Sequence, residues 1–313
     1  MNERGSSENL NQLEPSFMYS QIFKEILLDM TYGQQAIKDL VTFCQQQYLG
    51  NTKELNIIDE FERTYRPSKA IWWYTRECFT YKMLNRALRT FDCDIIIRMG
   101  FFLCDVSRQI ESLHYKQVSL CHGNTFLVYW AQELSTVEFE NLAKNKGGLI
   151  SFNNFLSTNK SRDVSLEFAK DALGTNGMDG IIFQMTIDPT VSSIPFASIR
   201  EVRYFPKDDE ILFSMHAVFR IGHIQKLDNN RPLYQVNRKL TSDDNPQLRQ
   251  LTNRLREEIA DSTGWTRLGK MLLKLDQLDK AEELFTAQLE QTSDESDKAF
   301  IYNELGRLKS DQG

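Results

Sequence analysis

The sequence predicts an α+β core set between two helical segments. Three observations carry that expectation. Apolar residues recur at helical spacing from Ser16 to about position 115, the period shortens to two after Gln117, and the helical period returns from Pro246. A chain of 313 residues with 41% hydrophobic content can bury a large core, and its length suits two domains with a small third. The expected divisions are a disordered segment 1–15, an all-helical module 16–117, an α+β core 118–238 and a helix–turn–helix segment 246–313.

In the helical module, Phe17, Ile22, Ile26 and Leu27 share one face, as do Ile37, Leu40, Val41 and Cys44 beyond the Tyr32-Gly33 break. A third helix is expected from Glu54 to Tyr65, stopped by Pro67, and two more over Ile71–Thr90 and Asp92–His114. Trp72, Trp73 and Tyr74 read as core aromatics among Ile71, Cys78 and Phe79 rather than as a stacking wall for a ligand.

In the core, Thr125–Trp130 is β-rich and Ser135–Ala143 is helical, with Ser135 as N-cap and Glu138 at the capping-box position. Leu149–Ser157 reads as a strand, Ser161–Ala172 as a helix, Gly180–Ile187 as a strand ended by Asp188-Pro189, and Ile211–Ile221 as one longer strand. In the last segment Leu268-Gly269 is matched by Leu305-Gly306, which resembles a tetratricopeptide repeat of slightly extended length. One and a half repeats cannot bury their own faces, so they are expected to dock elsewhere or to belong to a truncated array.

Composition excludes several classes. The net charge is −6, from 43 acidic against 37 basic residues mixed along the chain, which argues against a nucleic-acid partner. Five cysteines without CxxC spacing read as reduced thiols, and the polar first fifteen residues show no apolar h-region, so no secretory signal is expected. With no apolar run near the roughly 18–20 residues that cross a bilayer, a cytoplasmic protein without membrane contact is expected. The four histidines show no ligand spacing, no GxSxG marks a hydrolase elbow, and Gly147-Gly148 belongs to neither a P-loop nor a GxGxxG turn.

What remains is a stretch from Gly147 to Ala169, with Ser157, Thr158 and Asn159 at a strand end, and the acids Asp208, Asp209 and Glu210 just before another strand. Each alone is ordinary turn chemistry. Residues 208 and 210 are two apart, so in extended chain they share a face, where a neighbouring hydroxyl can orient a carboxylate. That equipment suits N-glycosidic cleavage, in which a fixed carboxylate stabilises an oxocarbenium-like transition state.

The segments SFNNFLSTNKSRDVSLEFA and DDEILFSMHAVFRIG closely resemble the core of arginine-specific mono-ADP-ribosyltransferases of the R-S-E pattern, over about 118–225. More narrowly, the chain is similar to members that join a helical N-terminal region and this core to tetratricopeptide repeats. The resemblance implies a core of two packed mixed β-sheets with short helices. It implies NAD as co-substrate without a metal, and a protein acceptor with an exposed arginine, with further protein partners through the repeats. Ser157 would bind the nicotinamide ribose and orient Glu210, the catalytic glutamate at the ribose 2′-hydroxyl. Asp208 would engage the acceptor guanidinium, and Asn154 and Phe168 would contact nicotinamide, although Phe168 also reads as a core aromatic.

Three positions depart from the pattern. Trp130 stands where the family has the arginine of its first strand, with Ala131 for glycine. An indole offers one neutral donor where a guanidinium forks onto phosphates, a loss of about 1.5–3 kcal/mol or roughly ten- to a hundredfold in affinity. Asn159 replaces a serine, and Asp208 is one methylene shorter than the family glutamate. Two alternatives therefore stand beside the transferase: an interaction protein impaired at Trp130, and an NAD glycohydrolase in which water replaces the acceptor.

Overall fold

A computed structural model describes residues 15–118, 123–171, 178–190, 194–205, 209–228, 232–241, 253–254, 256–257, 264–291 and 295–311. The segment expected to be disordered, as well as Cys121 and Asp208, lies outside these residues except for Pro15.

Before the first strand the described chain is helical: α1 (Pro15–Asp29), α2 (Gln34–Gln47), α3 (Thr52–Thr64), α4 (Ala70–Tyr74), α5 (Phe79–Thr90), α6 (Cys93–Arg98) and α7 (Gly100–Val118). The single helix expected over Ile71–Thr90 is in fact two. Hydroxyls compete with the ladder at the break: Thr75 Oγ1 donates to Ile71 O at 2.9 Å, Thr80 Oγ1 donates to Trp73 O at 2.9 Å, and Glu77 takes a left-handed backbone, φ 34°. The helix expected over Asp92–His114 likewise divides at Met99. Trp73 is fully buried and edge-on to Phe61, whose ring also meets Phe79 and Phe102, as a core aromatic should be.

The strands are β1 (Phe126–Ser135), β2 (Leu149–Phe152), β3 (Leu156–Asn159), β4 (Met178–Ile187), β5 (Phe196–Ser198), β6 (Glu210–Phe213), β7 (Ala217–Asp228) and β8 (Leu233–Leu240), with helices α8 (Thr136–Lys144) and α9 (Arg162–Asp171) between them. Ser135 caps α8 in a complete capping box with Glu138, as its sequence position predicts. The expectation of two packed sheets is corrected: the described strands join in one mixed sheet, ordered β2-β7-β8-β4-β1-β3-β6-β5, in which β4 and β8 run parallel and the other pairs antiparallel. The link between β1 and β3 is one residue pair, Tyr129 with Asn159, beyond which the two strands part.

Two expected strands also divide. Leu149–Ser157 splits at Asn153-Asn154 because its halves have different partners, β7 for β2 and β6 for β3. Ile211–Ile221 breaks at Ser214–His216, where His216 is buried with φ 67°.

One apolar cluster lies against the sheet and draws residues from all eight strands. A second spans the helices α1–α7 and takes in Phe155, Ala197, Ile199, Leu212 and Met215 from the β3–β6 region. It also takes in Leu268, Met271, Ala281 and Phe285 from the C-terminal helices Gly264–Lys274 and Leu278–Gln291. The first of those helices docks on α1, where Arg267 pairs with Asp29 at 2.9 Å; the second packs on the first, and Glu295–Asp311 on the second. Among the described residues no helix is long and apolar enough to cross a membrane.

Gly180 sets how closely α9 lies on the sheet. A Cβ there would run into Ala169 O, a backbone atom that cannot yield without moving the helix. The seam between α1 and the sheet is polar: Ser20 Oγ and His216 Nε2 are hydrogen-bonded at 2.9 Å, and Lys24 Nζ donates to Ser214 Oγ and Met215 O at 3.3 Å.

Burial, with Lys24 adding to it, holds the His216 imidazole well below its ordinary pKa. A histidine depressed in the folded state binds its proton preferentially in the unfolded chain. Its contribution to stability is complete above about pH 6.5 and falls as the pH drops, by up to about 1.4 kcal/mol per pH unit. Denaturation midpoints measured on either side of about pH 6.5 should show this acid slope. His216→Asn, which keeps a residue tolerant of the left-handed backbone, should lessen it; equal slopes in both proteins would remove His216 as its source.

Candidate active site

Where β1 and β3 part, a cavity of about 410 Å³ opens, within the range of about 300–1,000 Å³ typical of small-molecule sites. The residues that follow the Tyr129–Asn159 pair line it: Trp130 and Ala131 on β1, Thr158 and Ser157 on β3. Glu210 closes one wall, α9 supplies Val164, Ser165 and Phe168, and the α4–α5 junction supplies Tyr74, Thr75, Glu77 and Tyr81.

The central contact follows from strand register. Antiparallel pairing sets Asn159 opposite Glu210 and Ser157 opposite Leu212, so Ser157 and Glu210 are diagonal neighbours on one face. Ser157 Oγ donates to Glu210 Oε1. The next residue points the other way, and Thr158 Oγ1 donates to Ile211 O at 2.9 Å. Asn159 caps its own turn, its Oδ1 accepting from Ser161 N at 2.7 Å.

Sequence reasoning missed the second partner of Glu210. Arg203, in the loop between β5 and β6, places Nη2 2.9 Å from Glu210 Oε2, with side chains only 11% and 12% exposed. The loop is pinned from below: Tyr204 N donates to Thr75 Oγ1 at 2.9 Å, the Tyr204 ring meets Trp72 edge-on, and Arg203 N donates to Ile199 O at 3.0 Å. Arg200, on the same loop, turns outward to Asp209 at 3.3 Å. Nothing in the spacing of IREVRYF separates the inward arginine from the outward one.

The two tyrosines of the helical segment were also missed. Tyr74 is buried, and its hydroxyl donates to Asn85 Oδ1 at 2.9 Å. Burial raises the pKa of both phenols; Tyr81 and then Glu210 add to it at Tyr74, while Glu77 and then Glu210 add at Tyr81. Both stay protonated, and the single proton of Tyr74 is already given to Asn85.

Of the other residues singled out from sequence, Phe168 lines the cavity and is 69% exposed, so it is not a core aromatic. Asn154 lies in the β2–β3 turn and is not among the residues that line the cavity. Trp130 is half-buried, stacked on Phe183 with centroids 5.3 Å apart and edge-on to Phe152 at 5.2 Å. The buried Arg238 guanidinium lies over the same two rings, 3.5 Å from the Phe183 centroid. Among the described residues no group of three His, Cys, Asp or Glu side chains is placed to hold a metal ion.

No family model matches the chain, and no curated protein does. Solved structures do. The Vis toxin, an ADP-ribosyltransferase from Vibrio splendidus, is similar with a TM-score of 0.43 and 13% identity over 71% of this chain and 92% of its own. An ADP-ribosyltransferase from Clostridium botulinum gives 0.40 and 14% over 68% and 98%. The ADP-ribosyltransferase HopU1 of Pseudomonas syringae pv. tomato gives 0.41 and 14% over 74% and 100%. These are distant likenesses at low identity.

The placement of Phe168 separates a binding residue from a packing one. Phe168→Ala should change stability by no more than about 0.5 kcal/mol, whereas Tyr74→Phe, which removes a buried hydrogen bond, should cost about 0.5–1.5 kcal/mol. Thermal unfolding of the two variants beside wild type measures both, and a large loss in Phe168→Ala would return that ring to the core.

Proposed function

We propose that the chain is an NAD-dependent mono-ADP-ribosyltransferase that moves ADP-ribose onto an arginine guanidinium of a protein acceptor and releases nicotinamide. The observation that carries this reading is the diagonal Ser157–Glu210 hydrogen bond at the cavity between β1 and β3. It is the serine–glutamate pair of the motif that the sequence resembles, and it holds a carboxylate where a nicotinamide ribose can enter.

In this reading Glu210 accepts the ribose 2′-hydroxyl and faces the positive charge that develops as the glycosidic bond breaks. Ser157 fixes its orientation, so little reorganisation is needed at the moment of reaction. The exposed ring of Phe168 offers a face for nicotinamide, and the protonated Tyr81 adds a hydroxyl to the cavity lining. Asp208, outside the described residues, keeps the role that the resemblance implies for it at the acceptor guanidinium.

Trp130 favours a second reading. Its indole stacks on Phe183 where a phosphate-binding guanidinium is expected, which suits a fold kept for interaction rather than turnover. Under that reading wild type shows no NAD binding by calorimetry and Trp130→Arg restores it.

Given NAD and a simple guanidine acceptor, wild type should release nicotinamide. Glu210→Gln should slow release by about a hundred- to a thousandfold, the scale of one lost electrostatic contact to a transition state. Equal release by both proteins would sink the assignment, and release without an acceptor, with free ADP-ribose as product, would make the chain a glycohydrolase.

A further inference from the structure

We propose that Arg203 is a modification site, the first acceptor of the chain's own transfer reaction in cis. The inference rests on the transferase reading and adds an acceptor to it.

The geometry is specific. Arg203 Nη2 lies 2.9 Å from Glu210 Oε2, and both side chains are almost wholly enclosed. Arg203 lines the same cavity as Ser157 and Phe168. In β-NAD the 2′-hydroxyl and the nicotinamide stand on opposite faces of the ribose. A carboxylate that accepts the 2′-hydroxyl is therefore on the face away from the leaving group. A nucleophile that displaces nicotinamide with inversion must approach from that face. The guanidinium bound to Glu210 is already there, in a loop held by Thr75 from the helical segment, so no diffusional encounter is needed.

The step balances without a further reactant. The C1′–N bond to the pyridinium breaks and its electron pair leaves with neutral nicotinamide. Nη2 forms the new C1′–N bond, and the N–H proton it loses passes to Glu210 Oε2 and then to solvent. The product is ADP-ribosyl-Arg203, with the nucleotide tethered in the cavity, so in the absence of another acceptor each chain turns over once.

Arg200 is an internal control. It shares the loop but is 63% exposed and pairs with Asp209 outside the cavity. Labelling between molecules favours exposed arginines such as Arg200, whereas labelling in cis selects Arg203.

The full chain is incubated with NAD, with and without a simple guanidine acceptor, and nicotinamide and peptide mass are followed. The expected result without acceptor is a burst of one equivalent of nicotinamide per chain, first-order at every protein concentration, with one ADP-ribose on Arg203 by tandem mass spectrometry. Arg203→Lys should lose that label and transfer several-fold faster to the external acceptor. Nicotinamide release with Arg203 unmodified, or with Arg200 labelled instead, overturns the inference; the transferase reading then stands if ADP-ribose is recovered on the added guanidine or on Arg200, and falls to the glycohydrolase if it is recovered free. No release and no label in wild type overturns the transferase reading and the inference together. The mass measurement on wild type decides the matter even if Arg203→Lys does not fold.

Discussion

The four residues of β6 are the constraint from which the site follows. Ile211 and Phe213 are buried in the cluster of the sheet, while Leu212 between them is buried in the cluster of the helical segment. A short strand packed on both faces has little freedom to slide, because a shift by one residue would exchange the two sets of side chains. Glu210 heads this strand, and the register that buries Leu212 is the one that brings Ser157 diagonally opposite it. The catalytic geometry proposed for the pair is thus a by-product of core packing.

The helical segment then has two effects on the cavity. It covers one side of β6, and through the α4–α5 break it holds the loop that carries Arg203. Thr75 acts both locally and at a distance: its hydroxyl bonds back to Ile71 O, ending α4, and accepts from Tyr204 N, fixing the loop. The break that ends one helix is also the wall that presents Tyr74, Glu77 and Tyr81 to the cavity. The C-terminal helices share the same apolar cluster, so the α1 surface they cover is continuous with the packing beneath the site.

What was legible in the sequence was local or carried by a motif. The capping box of α8 shows in Ser135 and Glu138, and the FLST and EILF segments bring Ser157 to Glu210. What was illegible depended on partners distant in sequence. Leu149–Ser157 reads as one strand because its apolar period continues through Asn153-Asn154, yet β2 and β3 lie far apart in the sheet order. The single Tyr129–Asn159 pair, which joins what resembled two sheets, has no local signature at all. Helical spacing could not decide Phe168 either, since the apolar side of α9 near its C-terminus faces a cavity rather than a core.

Charge explains why positions 130 and 203 belong to one question. At position 130 the indole stacks on Phe183, and the cation over that ring is Arg238. The guanidinium that does line the cavity is Arg203, already bound to Glu210. Each partner of an enclosed pair would be costly to leave alone, on the scale of about 3–5 kcal/mol. In the proposed reaction a ribose hydroxyl that merely displaced Arg203 would have to meet that cost, whereas one that shared Glu210 with it would leave the ion pair intact. Under the proposed reaction the second course keeps a guanidinium beside the reacting carbon, so the ion pair that closes the resting site would also supply the acceptor.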